Sequence, residues 1–222
     1  MFFELDDFPF LKKISDSREF IRSELFDSME VGKQASPMAH ALGFWADGET
    51  DQDLFAPPSP IVDEWVRKGG FHPDQIGYDS RGGRWATLPL LSSDKPELHG
   101  VSKKYFPLTT SLVADIPSLN FCSFFRLAPG AEVLEHRHRD RNLIFHLVLD
   151  DLDGDDCMIC CAGQARRTSR RGDWALFDYS QPHSSFNRTT RSRVNIIVDF
   201  APDPQVLERH DRIVAKSAGV TQ

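Results

Sequence analysis

His136 and His138 stand two residues apart, His146 follows eight further on, and His183 comes after the run Trp174–Asp178 and the short turn Tyr179-Ser-Gln-Pro182. Residues two apart on a β-strand project to the same face, so His136 with His138, or His138 with Asp140, can present paired donors at a barrel mouth. The strand and turn before His183 return it to the same end. Two imidazoles and a third donor on one face, with other coordination positions left open, form the ligand set that oxygen-activating non-haem iron requires. The third donor stays open between His138, Asp140 and water. Arg193 opens the apolar run Val194-Asn-Ile-Ile-Val-Asp199. A buried guanidinium grips a carboxylate through two parallel hydrogen bonds that a lysine cannot reproduce, which suits the far carboxylate of 2-oxoglutarate.

An isolated histidine on a mixed strand is usually a hydrogen-bonded surface residue; the joint spacing is what singles these out. His40, His72, His99 and His210 have no such spacing and are expected at the surface. Cys157-Met-Ile-Cys160-Cys161 invites a zinc or redox reading, but a zinc ribbon needs a second pair at similar spacing and Cys122 stands alone. The cluster reads as a buried strand, with cysteine acting as a small hydrophobe.

The elements that must position these groups are short apolar runs separated by turn residues: 85–91, 120–127, 132–135, 143–149, 157–162, 174–178 and 193–200. Ala128-Pro129-Gly130, Asp150 to Gly154 and Arg171-Gly172-Asp173 supply the turns. Such spacing predicts a mainly β fold with flanking helices, a sandwich or jelly roll. Its 17 Phe are expected to fill the space between two sheets, with Trp174, Phe177, Phe186 and Phe200 in the barrel core. Ser15-Asp16 with Glu19 reads as a capping box opening a helix over 15–33, whose apolar face is Phe20, Ile21, Leu25, Phe26 and Met29. A second helix is expected over 103–116. The division is an N-terminal helical and irregular elaboration over 1–84, rich in Pro and Gly from Gln34 and including a short helix near 61–66 and a lid; a core over 85–202; and a C-terminal helix or tail over 203–222. The run Arg166-Arg167-Thr168-Ser169-Arg170-Arg171 reads as a solvated hairpin, with an acidic partner as the functional alternative.

A formal charge of −7 disfavours nucleic acid and anionic membranes as partners. No run of 18 apolar residues occurs, and the acidic start MFFELDDFPF lacks a signal peptide's pattern, so a cytoplasmic protein acting on a small molecule is expected.

The order Pro129-Gly130, five residues, His136, then His146-Leu147, then Gly172-x-Trp174-x-x-Phe177-Asp178-x-x-x-x-His183, then Arg193 and Asp199 resembles the aspartyl/asparaginyl β-hydroxylase family of iron(II)/2-oxoglutarate dioxygenases. His183-Ser-Ser-Phe-Asn187 is similar to a run in the related bacterial free-proline hydroxylases. The resemblance spans roughly residues 105–202. It implies a double-stranded β-helix (cupin-like) core; iron(II), 2-oxoglutarate and O2 as cofactors; His136 and His183 as metal ligands; Arg193 as the 2-oxoglutarate anchor; and His146 as a second cosubstrate contact. The activity implied is hydroxylation of a small amino-acid-like metabolite, free or carrier-bound. The alternatives are a hydroxylase of Asp or Asn side chains in proteins, a halogenase or desaturase variant, and a non-catalytic cupin-like binding protein. Two positions depart from the pattern. His138 stands where most relatives carry Asp; sliding the register to His138-Arg139-Asp140 restores a His-x-Asp motif but loses the Pro-Gly spacing, so His136 is preferred. Ile144 replaces an Arg common in the family, with Arg126 or Arg141 as possible compensation.

Overall fold

The computed structural model of the chain describes residues 2–30, 80–81 and 85–217. The lid expected over 34–84 and the short helix near 61–66 lie outside the described residues, apart from a two-residue strand. A short 3-10 turn at Leu5–Asp7 leads into helices α1 (Pro9–Asp16) and α2 (Arg18–Glu30). Strands β1 (Ser80–Arg81) and β2 (Trp85–Ser92) come before helices α3 (Leu98–Tyr105) and α4 (Pro107–Ala114). Then follow β3 (Leu119–Leu127), β4 (Glu132–His136), β5 (Leu143–Val148), β6 (Cys157–Cys161) and β7 (Gln164–Arg167). The remaining elements are β8 (Trp174–Asp178), β9 (His183–Asn187), β10 (Arg193–Phe200) and helix α5 (Pro204–Ser217). No helix among the described residues is long and apolar enough to cross a membrane.

The strands form two five-stranded antiparallel sheets, ordered β1-β4-β9-β6-β7 and β2-β3-β10-β5-β8. From β3 onward the chain passes back and forth between the sheets, only the β6–β7 hairpin staying within one. This is the double-stranded β-helix. Ala162 and Gly163 close that hairpin with φ of 48° and 75°; two successive positive φ values make a turn whose twist matches the flanking strands.

Alternation along β10 explains why apolar residues occupy both of its faces. Val194, Ile196, Val198 and Phe200 face the helices and join Leu11, Ile14, Leu25, Leu88, Phe106, Phe124 and Phe145 in the largest core cluster. Arg193 and Ile197, offset by one position, line a cavity on the other face. A strand covered on both faces reads as a continuous hydrophobic run. The main core therefore lies between one sheet and the helices rather than between the sheets, because the inter-sheet space near β4 and β9 is given to the cavity and its imidazoles. Of the four aromatics assigned to the barrel core, Phe177 is inside. Phe200 packs on Phe8 and Phe10, Trp174 lies under Arg166, and Phe186 lies under Arg188.

The helix expected over 15–33 begins instead at Arg18. Ser15 and Asp16 end α1, which Pro9 opens at its first turn, where a proline costs no hydrogen bond. Ile21, Leu25 and Phe26 are buried as expected, whereas Phe20 is 65% exposed; the side chain of Met29 lies outside the described residues. The helix expected over 103–116 is two helices broken at Phe106, with Pro107 opening the second. Glu24 of α2 caps that second helix, accepting from the backbone N–H of Leu108 and Thr109 at 2.7 Å each. At the far end of β9, buried Asn187 donates from Nδ2 to the carbonyls of Leu127, Ala128 and Arg191. It ties β9 to the turn after β3, giving the His-Ser-x-x-Asn run a structural reason.

Candidate active site

His136 ends β4 and His183 begins β9, and the two are direct cross-strand partners. Their ring centroids lie 4.2 Å apart, and His138, just past β4, sits 5.3 Å from His136 and 5.6 Å from His183. One ligand nitrogen from each of the three rings lies within 4.8 Å of the others. Metal–imidazole bonds are about 2.0–2.1 Å, so small rotamer adjustments bring all three to one ion.

The backbone presets which nitrogen is offered. His136 Nδ1 is 2.8 Å from the carbonyl of Leu134, and His183 Nδ1 is 2.8 Å from that of Gln181. A carbonyl only accepts, so each Nδ1 carries the proton and each Nε2 presents a lone pair, the tautomer that metal-binding histidines adopt. Burial pushes His183 down to about 4, an effect that the two neighbouring histidines reinforce. His138 is also lowered, by burial and by His136. Both rings are neutral at pH 7, as ligation demands. The backbone N–H of His138 donates to the carbonyl of Tyr179 at 3.1 Å, and the two rings lie 4.4 Å apart. Tyr179 in turn accepts from Asn142, which also reaches Asp199.

Asp140 is exposed and outside the ligand group, so the third position brought to the cluster is His138. None of the cysteines joins a candidate metal group among the described residues. Cys157 and Cys161 are buried in β6, with the Cys161 thiol donating to the carbonyl of Asp178.

The imidazoles open into a cavity of about 750 Å3 between the sheets, which Arg193 and His146 also line. Arg193 is fully buried. Its Nη1 donates to Thr168 Oγ1 at 3.0 Å and lies 3.8 Å from Cys157 Sγ, while Nε and Nη2 are buried without a partner among the described residues. Among the described residues no carboxylate pairs with it, and burial lowers its proton affinity. His146 is pushed well below the ordinary histidine range by burial, then by Arg193 and His183. Its Nδ1 lies 2.8 Å from Asn195 Nδ2, and its ring stacks on Phe177 at 5.8 Å. With the Asn195 amide donating, the His146 proton resides on Nε2.

Sequence reasoning brought His136, His138, His146, His183 and Arg193 to one place, and the structure assembles all five. It missed Thr168 and Cys157 as partners of Arg193, and Asn195 as partner of His146. Asn195 had a signal, a polar residue two after Arg193 and therefore on the same face. Neither Arg126 nor Arg141 lines the cavity beside Ile144. Arg126 Nε donates to Ser192, and Arg141 is held by Asp178 at 2.9 Å and by both carboxylate oxygens of Asp211. His210, expected at the surface, is half-buried and stacked on Phe3 with centroids 3.7 Å apart.

Solved structures similar to the chain include a predicted oxalate decarboxylase from Thermotoga maritima, at 16% identity over 55% of this chain and 84% of the other, TM-score 0.39. The cupin domain of an XRE-family transcriptional regulator from Enterobacter cloacae is 16% identical over 54% and 98%, TM-score 0.37. A cupin conserved barrel protein from Salinispora arenicola is 16% identical over 56% and 81%, TM-score 0.34. No curated protein matches the chain. Residues 63–202, more than half of the sequence and including the histidine cluster and Arg193, match the profile of the aspartyl/asparaginyl beta-hydroxylases. The chain belongs to the aspartyl/asparaginyl beta-hydroxylase family.

Proposed function

We propose that the chain is an iron(II)- and 2-oxoglutarate-dependent dioxygenase that hydroxylates an unactivated carbon of a small amino-acid-like metabolite. The observation that carries this reading is one cavity holding both a three-imidazole cluster and a buried guanidinium with two unpartnered nitrogens. A buried charge without a counterion costs several kcal/mol, on the order of an ion's effective desolvation penalty. A carboxylate from the cosubstrate removes that cost.

His136, His138 and His183 would hold the ion through one ring nitrogen each, with the carbonyls of Leu134 and Gln181 fixing two of the rings. An imidazole ligand brings no negative charge, so an ion held by these three residues would favour an anionic chelator. Iron(II) with 2-oxoglutarate and O2 supplies the oxidising chemistry, yielding succinate, CO2 and a hydroxylated carbon. Arg193 offers Nε and Nη2 to the far carboxylate as a fork. His146 adds a donor at Nε2. Ile144, Ile159, Phe177 and Ile197 exclude water from the space between these groups.

The test is succinate release from 2-oxoglutarate with added iron(II), with and without candidate amino acids. Stimulated release supports the reading. No succinate under any condition, with a ligand still bound, assigns a binding protein instead; stimulation by a peptide above the amino-acid level assigns protein side chains as substrate.

A further inference from the structure

The cavity exceeds what an ion and a keto acid fill; about 750 Å3 falls among sites that take drug-sized ligands, roughly 300–1,000 Å3. A polar group lining it that the proposed function leaves unused is the indole Nε1 of Trp85, which is buried and without a hydrogen-bond partner among the described residues. An indole N–H only donates, so its complement is an acceptor oxygen.

The register locates it. Trp85 pairs with Leu127 on one side of β3 and Arg193 pairs with Leu127 on the other, so indole and guanidinium project from the same face of one sheet. Two strand spacings separate them, on the order of 10 Å. Between them stands Phe125, stacked on Trp85 at 5.7 Å and 24° and with its ring 5.8 Å from the Arg193 guanidinium carbon. Ile197 and Val133 complete this apolar wall. Glu135, beside the ligand His136, also lines the cavity. Its negative charge disfavours a second carboxylate and accommodates an amine.

We infer that the substrate meets this wall as a carboxyl-blocked, apolar amino acid, such as an amide, ester or thioester, with its neutral carbonyl accepting from the Trp85 indole. This deepens the oxygenase reading and rests on it. The apolar side chain lies on Phe125 and Ile197, and the amine faces Glu135.

The experiment compares leucine amide, phenylalanine amide and their N-acetylcysteamine thioesters with free leucine, phenylalanine and aspartate as stimulators of succinate release by the iron-loaded chain. The blocked forms are expected to half-saturate at concentrations at least about 10-fold lower, as one well-made buried hydrogen bond allows. Trp85→Phe, which keeps the ring stack, should raise KM for the blocked forms by a similar factor and leave KM for 2-oxoglutarate unchanged. Calorimetric titration of the metal-free chain with leucine amide should show the same loss in Trp85→Phe. Free acids that work as well as the amides, or an unchanged KM in Trp85→Phe, would overturn the inference while succinate release still upheld the oxygenase. Absence of succinate under every condition removes both.

Discussion

The arginines of the β7 hairpin and Arg193 show two opposite uses of one side chain. Arg166 is held by Glu4 and lies over the rings of Phe2 and Trp174. Arg167 pairs with Asp173 at 3.3 Å, Arg170 with Asp155 at 3.0 Å, and Arg171 with Glu19 and Asp151 at 3.1 Å each. Each has a carboxylate from its own chain, so the run's charge is matched in packing the hairpin against neighbouring turns and the N-terminal segment. Arg193 is the reverse: fully buried, it finds a hydroxyl and a thiol but no carboxylate among the described residues. Charges matched within the fold are architecture. Arg193 is a buried charge with no matching carboxylate among the described residues, beside a histidine cluster that could hold a metal, and on the proposed reading it is kept for a ligand.

The sharpest ways to break this contrast lie at the ion. His183→Ala and His138→Ala should abolish iron retention, measured by elemental analysis after desalting, whereas Asp140→Ala should retain it. Iron lost from Asp140→Ala and kept by His138→Ala would reverse the ligand assignment. Next in size, Arg193→Met should leave the metal-free chain as stable as the parent or more so, because replacing buried charge by apolar volume is neutral or stabilising by about 1–4 kcal/mol. A melting temperature lower by more than about 5 °C would show that Arg193 is structural.

The acid limb provides a third test. The folded-state pKa of His183 is about 4, and that of His146 is lowered too, while unfolded histidine titrates near 6.5. The unfolded chain then binds more protons between these values, so this stability is fully present above about pH 6.5 and is lost as pH falls towards 4. Thermal melts of the metal-free chain across that window should show the decline, and His183→Gln should flatten it. The smallest effect belongs to the hairpin: Arg167→Ala should cost no more than about 1 kcal/mol, as exposed ion pairs do, and leave KM for 2-oxoglutarate unchanged.

The strands that alternate or run continuously apolar were legible, β8 and β10 to the residue. β9 was not, because His183-Ser-Ser-Phe-Asn187 carries polar side chains toward the cavity and the Met158 carbonyl, and β7 was hidden by its charges. α1 went unseen because its buried residues, Leu11 and Ile14, fall within a short helix that a phenylalanine- and acid-rich stretch precedes. At the site, spacing singled out His136, His138, Asp140 and His183 as candidate ligands and Arg193 as a candidate anchor, and the family resemblance supplied the preference for His136. The backbone then carries His138 back over Tyr179 and leaves Asp140 exposed, a placement that spacing alone does not give. Thr168 lies 25 residues before Arg193, and no local pattern links a threonine in an arginine run to a guanidinium on another strand.

Affinity for 2-oxoglutarate, measured by titrating the metal-loaded parent chain and Arg193→Ala side by side, tests the central claim most directly. The account predicts a loss of roughly 30-fold or more in the variant, in line with about 2–5 kcal/mol for truncating a buried charged contact, with iron content unchanged. Equal affinity in the two proteins would mean that the unpartnered guanidinium is not where the keto acid binds.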